Sequence, residues 1–269
     1  MSMKGIKEVP TNRINPDGVS PANHSIIVEE PLEIYVNDRF YTLTMRLVGE
    51  EMPLAVGLCF TDGMIQSAAD LKMIRYCNEE TGNRIDLYFD KSSSEEIPVV
   101  RRGNLASYSS CGICGSELVM GVNASHKRIE ERTFFTDKLI FQCKEIVENM
   151  QSVFRVTRGT HAAGIFDSEG NLLAFSEDVG RHNALDKAIG KVLLSKKTDK
   201  TSIVILTSRI SYEMVLKAGR LGVEACAGFS AVTSLAVELA SRMNLTLIGS
   251  LRDRNGDIYT VPSRITSSP

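Results

Sequence analysis

From Phe134 to the end of the chain, apolar stripes at helical spacing alternate with short, continuously apolar runs, and that alternation limits the fold more than any other feature. Leu139, Ile140, Cys143, Ile146, Val147 and Met150 recur at the helical period, so Cys143 is expected inside a core. Ala162 to Phe166 and Leu172 to Phe175 flank Asp167-Ser168-Glu169-Gly170-Asn171, a turn-forming string that predicts a hairpin. Ala184, Leu185, Ala188, Ile189, Val192 and Leu193 form a second helical stripe. Beyond it the pattern predicts a buried strand over Ser202 to Leu206, a helix from about Ser211 to Leu221 and a short strand near Glu224 to Ala227. A helix from about Val232 to Met243 and a strand from Leu245 to Ile248 follow. Apolar strands interleaved with amphipathic helices bury their faces by layering, so 122–269 is expected to be an α/β domain with a largely parallel or mixed sheet.

Earlier in the chain the signals are more local. Residues 1–23 lack periodicity and read as an extended amino-terminal arm. Ser25 to Val36 and Phe40 to Val48 read as strands joined at Asn37-Asp38, a hairpin signal. Pro53, followed by Leu54, Val56, Leu58 and Phe60, opens a helix that ends near Asp62-Gly63; Leu71 to Cys77 and Arg84 to Phe89 are two further strands. Residues 24–106 thus read as a small α+β domain, which makes the whole molecule α+β. Ser107 to Ser116 is rich in serine and glycine around Cys111 and Cys114, so 107–121 is expected to be a linker or a functional loop.

A formal net charge of −2 over 269 residues provides no global attraction to nucleic acid or to an anionic membrane. Neither is expected as a partner, and any anionic ligand has to be met by a local patch. Met1 to Ser20 contains no apolar run of signal-peptide or membrane-spanning length, which predicts a cytoplasmic protein. Six cysteines, at 59, 77, 111, 114, 143 and 226, are too sparse for a disulfide framework and are expected to be reduced.

The Cys111-Gly112-Ile113-Cys114 spacing fits metal binding, a redox disulfide or sulfur carriage. A structural zinc site needs four ligands, and no second Cys or His pair accompanies this one, so no structural metal is expected. A thioredoxin-like site wants the first cysteine at the start of a helix that leaves a strand, whereas Tyr108-Ser109-Ser110, Gly112 and Gly115 surround this pair with flexible residues. Sulfur carriage needs an accessible thiolate on a mobile segment, which a glycine-serine loop supplies. Arg101 and Arg102, ten residues upstream, are either activating charges for the thiol or solvated surface groups.

Four strings, taken together and in order, carry a resemblance. They are Ser109-Ser110-Cys111-Gly112-Ile113-Cys114-Gly115, Thr160-His161-Ala162-Ala163, the run from Glu177-Asp178-Val179-Gly180-Arg181-His182-Asn183 to Lys187, and the run from Ser208-Arg209-Ile210-Ser211-Tyr212-Glu213 to Lys217. Over roughly Ser25 to Thr260 the chain resembles the formate dehydrogenase accessory sulfurtransferase family, whose members are sulfur carrier proteins. The resemblance implies a protein that takes sulfur from a cysteine desulfurase as a persulfide on Cys111 and passes it to the bis-guanine-dinucleotide molybdenum cofactor for formate dehydrogenase. It further implies that Cys114 assists release, that the carboxy-terminal domain is similar to the cytidine-deaminase fold, and that the protein is a homodimer. The family's cofactor-contacting run maps onto Ser250, Leu251, Arg252, Asp253, Arg254 and Asn255. Arg252 fits that pattern, but the family's glycines are replaced and the second arginine is shifted to Arg254.

A pyrophosphate-bearing, guanine-bearing acceptor needs cationic groups, free N–H groups at helix starts and a carboxylate for the base edge. Gly180-Arg181-His182-Asn183 precedes a helical stripe, where free N–H groups and Arg181 suit phosphate and where a glycine turn with ordinary capping also fits. Glu177 or Asp178 is either the guanine reader or a carboxylate that complements the helix dipole. His161 is a ligand-facing or a core histidine. Arg209 follows a strand on the side where open α/β sheets bind ligands. Two other functions compete: a molybdenum-cofactor chaperone that moves no sulfur, and a zinc-dependent deaminase-like hydrolase. The latter lacks a His-x-Glu signature at His161 and a following Pro-Cys-x-x-Cys.

Overall fold

The computed structural model describes residues 5–79, 82–89 and 127–267. Cys111, Cys114, Arg101, Arg102 and the expected 107–121 loop lie outside the described residues.

The chain begins as a ribbon. β1 (Ile6–Asn15) and β2 (Gly18–Ile27) pair antiparallel in unbroken register from Ile6 with Ile27 to Asn15 with Gly18. The arm expected over 1–23 is therefore corrected to a hairpin. Its alternation is hard to read because the ribbon has no buried face: at the tip, Ile14 and Val19 are 83% and 70% exposed. Periodicity reports burial, and backbone pairing alone leaves no such trace. The ribbon root is anchored where Ile27 packs on Gly159, so closely that a Cβ there would lie 2.4 Å from Ile27 Cδ1.

β3 (Glu29–Val36) turns into β4 (Arg39–Leu47) through Asn37 and Asp38, both in the left-handed region that a two-residue hairpin turn demands and that Asn and Asp tolerate. With β5 (Leu71–Glu79) and β6 (Gly82–Phe89) they form a four-stranded sheet in the order β4-β3-β6-β5, with β3 and β6 parallel. Leu32, Ile34, Val36, Ile85 and Leu87 bury one of its faces. Between β4 and β5 lies α1 (Glu51–Thr61), whose residues from Leu54 to Thr61 are all buried. A helix that is buried all round has cover on every side.

β7 (Phe135–Thr136) leads into α2 (Asp137–Met150), capped by Thr136 Oγ1, which accepts from Leu139 N at 3.2 Å. The short α3 (Ser152–Thr157) follows, then β8 (His161–Phe166), β9 (Leu172–Asp178), α4 (Arg181–Leu194), β10 (Ile203–Leu206), α5 (Tyr212–Leu221), β11 (Ala225–Gly228), α6 (Ser234–Met243), β12 (Thr246–Arg252), β13 (Asn255–Ile258) and β14 (Ile265–Thr266). The main sheet has the order β13-β12-β11-β10-β8-β9, with β10, β11 and β12 parallel and the outer pairings antiparallel. This is the mixed sheet that the alternation predicts. Its two faces carry different cores: Ala163, Ile165, Val204, Cys226 and Leu247 join the core shared with α1 and α4 to α6, while Phe166, Ile203, Ile205 and Ala227 pack with Ile140, Cys143 and Val147 of α2.

One hydrophobic core runs from the four-stranded sheet to the main sheet through α1 and α4. The two helices cross at glycines on both sides: a Cβ on Gly57 would lie 1.8 Å from Asp186 O, and one on Gly190 would lie 1.9 Å from Pro53 O. Buried ion pairs flank this crossing. Lys187 Nζ donates to Asp178 Oδ2 at 2.7 Å and to Leu47 O at 2.9 Å, and Lys217 Nζ donates to both Asp186 oxygens at 2.7 Å and to Thr61 Oγ1 at 2.8 Å. Each carboxylate thus ties a later helix to the amino-terminal layer. No helix among the described residues is long and apolar enough to cross a membrane.

Candidate functional site

The parallel strands β10, β11 and β12 all end at one edge of the main sheet, the side on which open α/β sheets present ligand sites. Antiparallel β8 begins at that edge with His161, and β9 ends there, His161 pairing with Asp178. Ala162 N donates to Thr207 Oγ1 at 2.8 Å, which fixes the loop after β10 against the start of β8. Arg209 extends from that loop into solvent. Two helices start at the same edge, α4 after Gly180 and α5 after Ser211, and neither receives a side-chain cap. Their first N–H groups add positive potential to the edge.

Four of the residues singled out from sequence meet there. The His161 imidazole is held below its ordinary pKa by burial first and then by the nearby positive charges of Arg181, Arg209 and His182. The ring thus sits among three basic side chains. His182 Nε2 lies 2.6 Å from Glu213 Oε2, close enough for an ion pair but not aligned as a hydrogen bond. Arg181 Nε and Ser211 Oγ are buried without a hydrogen-bond partner among the described residues. Buried polar atoms in that state carry a desolvation cost that a bound polar ligand would offset.

Beside His161 opens a pocket of about 430 Å³ whose walls include Glu148, Phe154, Arg155, Arg158, Thr207 and Phe229. Its volume falls within the range of small-molecule sites. A larger cleft of about 720 Å³ lies at the opposite end of the sheet, against Arg220, Met243 and Lys127, and contains none of the motif residues gathered at the first. The smaller pocket is the better candidate because it is lined by His161, around which Arg181 and Arg209 gather.

Other expected site residues take structural positions. Asp178 is fully buried, and its carboxylate accepts from Leu47 N at 3.1 Å, Gly180 N at 3.0 Å and Asn183 Nδ2 at 3.2 Å besides Lys187. These partners saturate its acceptor positions and leave no edge for a base, so the ligand role expected of Asp178 is corrected to that of a clamp between β4 and α4. Glu177 caps α3, accepting from Val153 N at 3.0 Å, Phe154 N at 2.9 Å and Thr160 Oγ1 at 2.8 Å.

The 250–255 run spans the end of β12, the Asp253-Arg254 turn and the start of β13. Leu251 is 1% exposed and packs in the α2-side core, so a contact from its side chain to a ligand is likewise corrected. Ser250 has a left-handed backbone at φ 54° within a bulge that shifts the register between Gly249 and Arg252, and its N–H donates to Ser230 O at 3.0 Å. Arg252, Asp253, Arg254 and Asn255 project into solvent. The turn lies three strands from β8, about 14 Å along the same edge at ~4.8 Å per strand. Sequence reading passed over Glu148, Phe154, Arg158 and Phe229, because nothing in their local pattern signals that α3 and the loop after β11 meet in space.

Comparison with known proteins covers both sheets of this architecture. The family model described as FdhD/NarQ family matches residues 27–266. A sulfur carrier protein FdhD of Nocardia farcinica is 35% identical over 261 residues, covering 95% of this chain and 93% of its own. One of the same description from Saccharolobus solfataricus is 34% identical, covering 89% and 90%. In fold, the chain superposes with a TM-score of 0.78 on a crystal structure described as a formate dehydrogenase accessory protein from Desulfotalea psychrophila, at 24% identity and with 97% and 100% coverage. With the family model spanning both sheets and relatives above 30% identity over nearly their full length, this chain belongs to the FdhD/NarQ family.

Proposed function

We propose that this protein is a sulfur carrier that supports formate dehydrogenase by delivering sulfur, held as a persulfide on Cys111, to the bis-guanine-dinucleotide form of the molybdenum cofactor. The carrying observation is family membership over residues 27–266 among relatives described as sulfur carrier proteins, joined to a Cys-x-x-Cys motif on a glycine-serine segment. Three of the four other cysteines are unsuited to the role. Cys59, Cys143 and Cys226 are buried, and burial raises each of their thiols. A thiol that rarely ionises is a poor nucleophile for sulfur exchange.

The chemistry is thiol exchange. The Cys111 thiolate attacks the outer sulfur of a cysteine desulfurase persulfide, forming a new persulfide as the donor's own thiolate leaves. Attack by Cys114 on the inner sulfur of that persulfide would release the outer one as hydrosulfide and leave a Cys111–Cys114 disulfide, which a cellular dithiol resets. The cationic edge formed by Arg181 and Arg209 beside His161 suits the pyrophosphates of the acceptor, and Arg252 and Arg254 extend positive charge along the same edge. The protein is read as a cytoplasmic homodimer whose partners are a cysteine desulfurase, the cofactor and formate dehydrogenase.

The test is to incubate the chain with a cysteine desulfurase and cysteine and to measure intact mass. One added sulfur is expected on the wild-type protein and none on Cys111→Ala. An unmodified wild-type protein, in the presence of a desulfurase shown to be active, would refute the reading. Normal dehydrogenase maturation with Cys111→Ala would instead favour a chaperone that moves the cofactor without sulfur.

A further inference from the structure

The larger cleft, of about 720 Å³ and away from the motif residues, is lined by Arg220, Lys127, Arg128 and Arg132 against two acids, Asp62 and Glu130. Basic side chains thus outnumber acidic ones at this opening, in a chain whose formal charge is −2. Lys127, Arg128 and Arg132 are exposed, while Leu221 and Met243 give the wall buried, apolar parts. Cations over an apolar floor match an acidic, partly apolar stretch of another chain. Charge then supplies encounter rate and register, and burial supplies affinity.

Arg220 gives the cleft a defined anchor. It lies in the last turn of α5, where the helix dipole accounts for a basic residue. The dipole does not account for how its guanidinium is held. Nε is buried without a hydrogen-bond partner among the described residues, Nη2 donates to Ile65 O at a long 3.4 Å, and the group lies 5.3 Å from the centre of the Phe60 ring. Burial lowers its pKa against the opposing charge of Asp62. A guanidinium withdrawn from water with a donor unfilled is completed by a carboxylate, whose two oxygens match the planar fork.

The cleft also opens on the stretch of chain that brings in the sulfur motif. Lys127 follows Cys111 by sixteen residues, which span at most about 55 Å when fully extended. A partner seated on the cleft is therefore attached to the same run of backbone as the thiol it has to serve. We propose that this cleft is the docking site of the sulfur donor, taking an acidic segment of the cysteine desulfurase with one of its carboxylates forked on Arg220. The inference rests on the reading that Cys111 is loaded from a desulfurase persulfide.

Loading of Cys111, followed by intact mass at rising desulfurase concentration, tests it. Arg220→Met keeps an apolar stem, and Arg128→Glu is an exposed charge reversal. Each is expected to raise the desulfurase concentration for half-maximal loading about tenfold, the scale of a lost charged hydrogen bond, with the maximal rate unchanged. Both should load at the wild-type rate from 2-hydroxyethyl persulfide, a small donor that needs no docking. Lys138→Glu, exposed on α2 outside the cleft, should load normally from either donor. A wild-type chain that accepts sulfur from neither donor would defeat the proposed function and this inference together. With a wild type that loads, an unchanged half-maximal concentration in either cleft variant that keeps its circular dichroism spectrum would overturn the docking site alone. So would a loss seen equally with the small donor, which places the defect in the thiol or the fold, or one shared by Lys138→Glu, which reduces the effect to general charge attraction.

Discussion

Cys143 and Cys226 sit in apolar surroundings that disfavour the thiolate, and burial pushes both thiols up to about 12. At pH 8 a thiol with that value is ionised in only about one molecule in 10⁴, and Cys59 is raised further still. Cys77 is only partly buried. A thiol-specific reagent at pH 8 is therefore expected to leave Cys59, Cys143 and Cys226 unmodified in the native protein and to reach them after denaturant is added. Peptide mapping of the modified chain checks this, and rapid native labelling of Cys226 would contradict the burial argument. At this scale the chemical types were legible and their surroundings were not. His161, Arg181, His182 and Arg209 were marked by motif and do meet at one edge, because strand ends and helix starts are themselves readable in sequence. Asp178 bore the same marks, yet its partners Leu47 and Lys187 reach it from two directions in the folded chain, and no local pattern announces that its lone pairs are taken.

The central element contact is the crossing of α1 and α4, which brings Gly57 and Gly190 against opposing backbone. Replacing glycine by alanine inside a helix ordinarily stabilises it by about 1 kcal/mol. Here the sign should reverse, because a Cβ at position 57 would overlap the Asp186 carbonyl and neither helix backbone can yield locally. Gly57→Ala is expected to cost about 3 kcal/mol or more, the upper part of the overpacking range, read as a lower urea midpoint. A variant as stable as the wild type would show that the helices separate at little cost. The elements themselves follow local signals well where burial imposes a period, as in α2, α4 and the β3–β4 turn. The β1–β2 ribbon and the β12–β13 turn escaped because the first lacks a buried face and the second hides a bulge in an otherwise ordinary strand.

For the whole molecule, the continuous core from Leu32 and Ile34 through α1 and α4 to Val204 and Leu247 couples the two sheets. The chain is expected to unfold in one transition, with loss of far-UV circular dichroism coinciding with exposure of Cys59 in the amino-terminal layer and Cys226 in the main sheet. Separate midpoints for the two cysteines would reveal independently stable domains. What the sequence by itself determined is the elements with a buried periodic face, the α+β class and the family, since these depend on periodicity and on ordered motifs carried within short stretches. Tertiary structure alone decided that α1 and α4 fuse the two layers through paired glycines, that Asp178 and Glu177 serve the fold, and that Glu148 shares a pocket with Phe229 and Arg158. Those outcomes depend on which distant backbones approach and which lone pairs are already filled, and neither quantity is encoded at any one position of the chain.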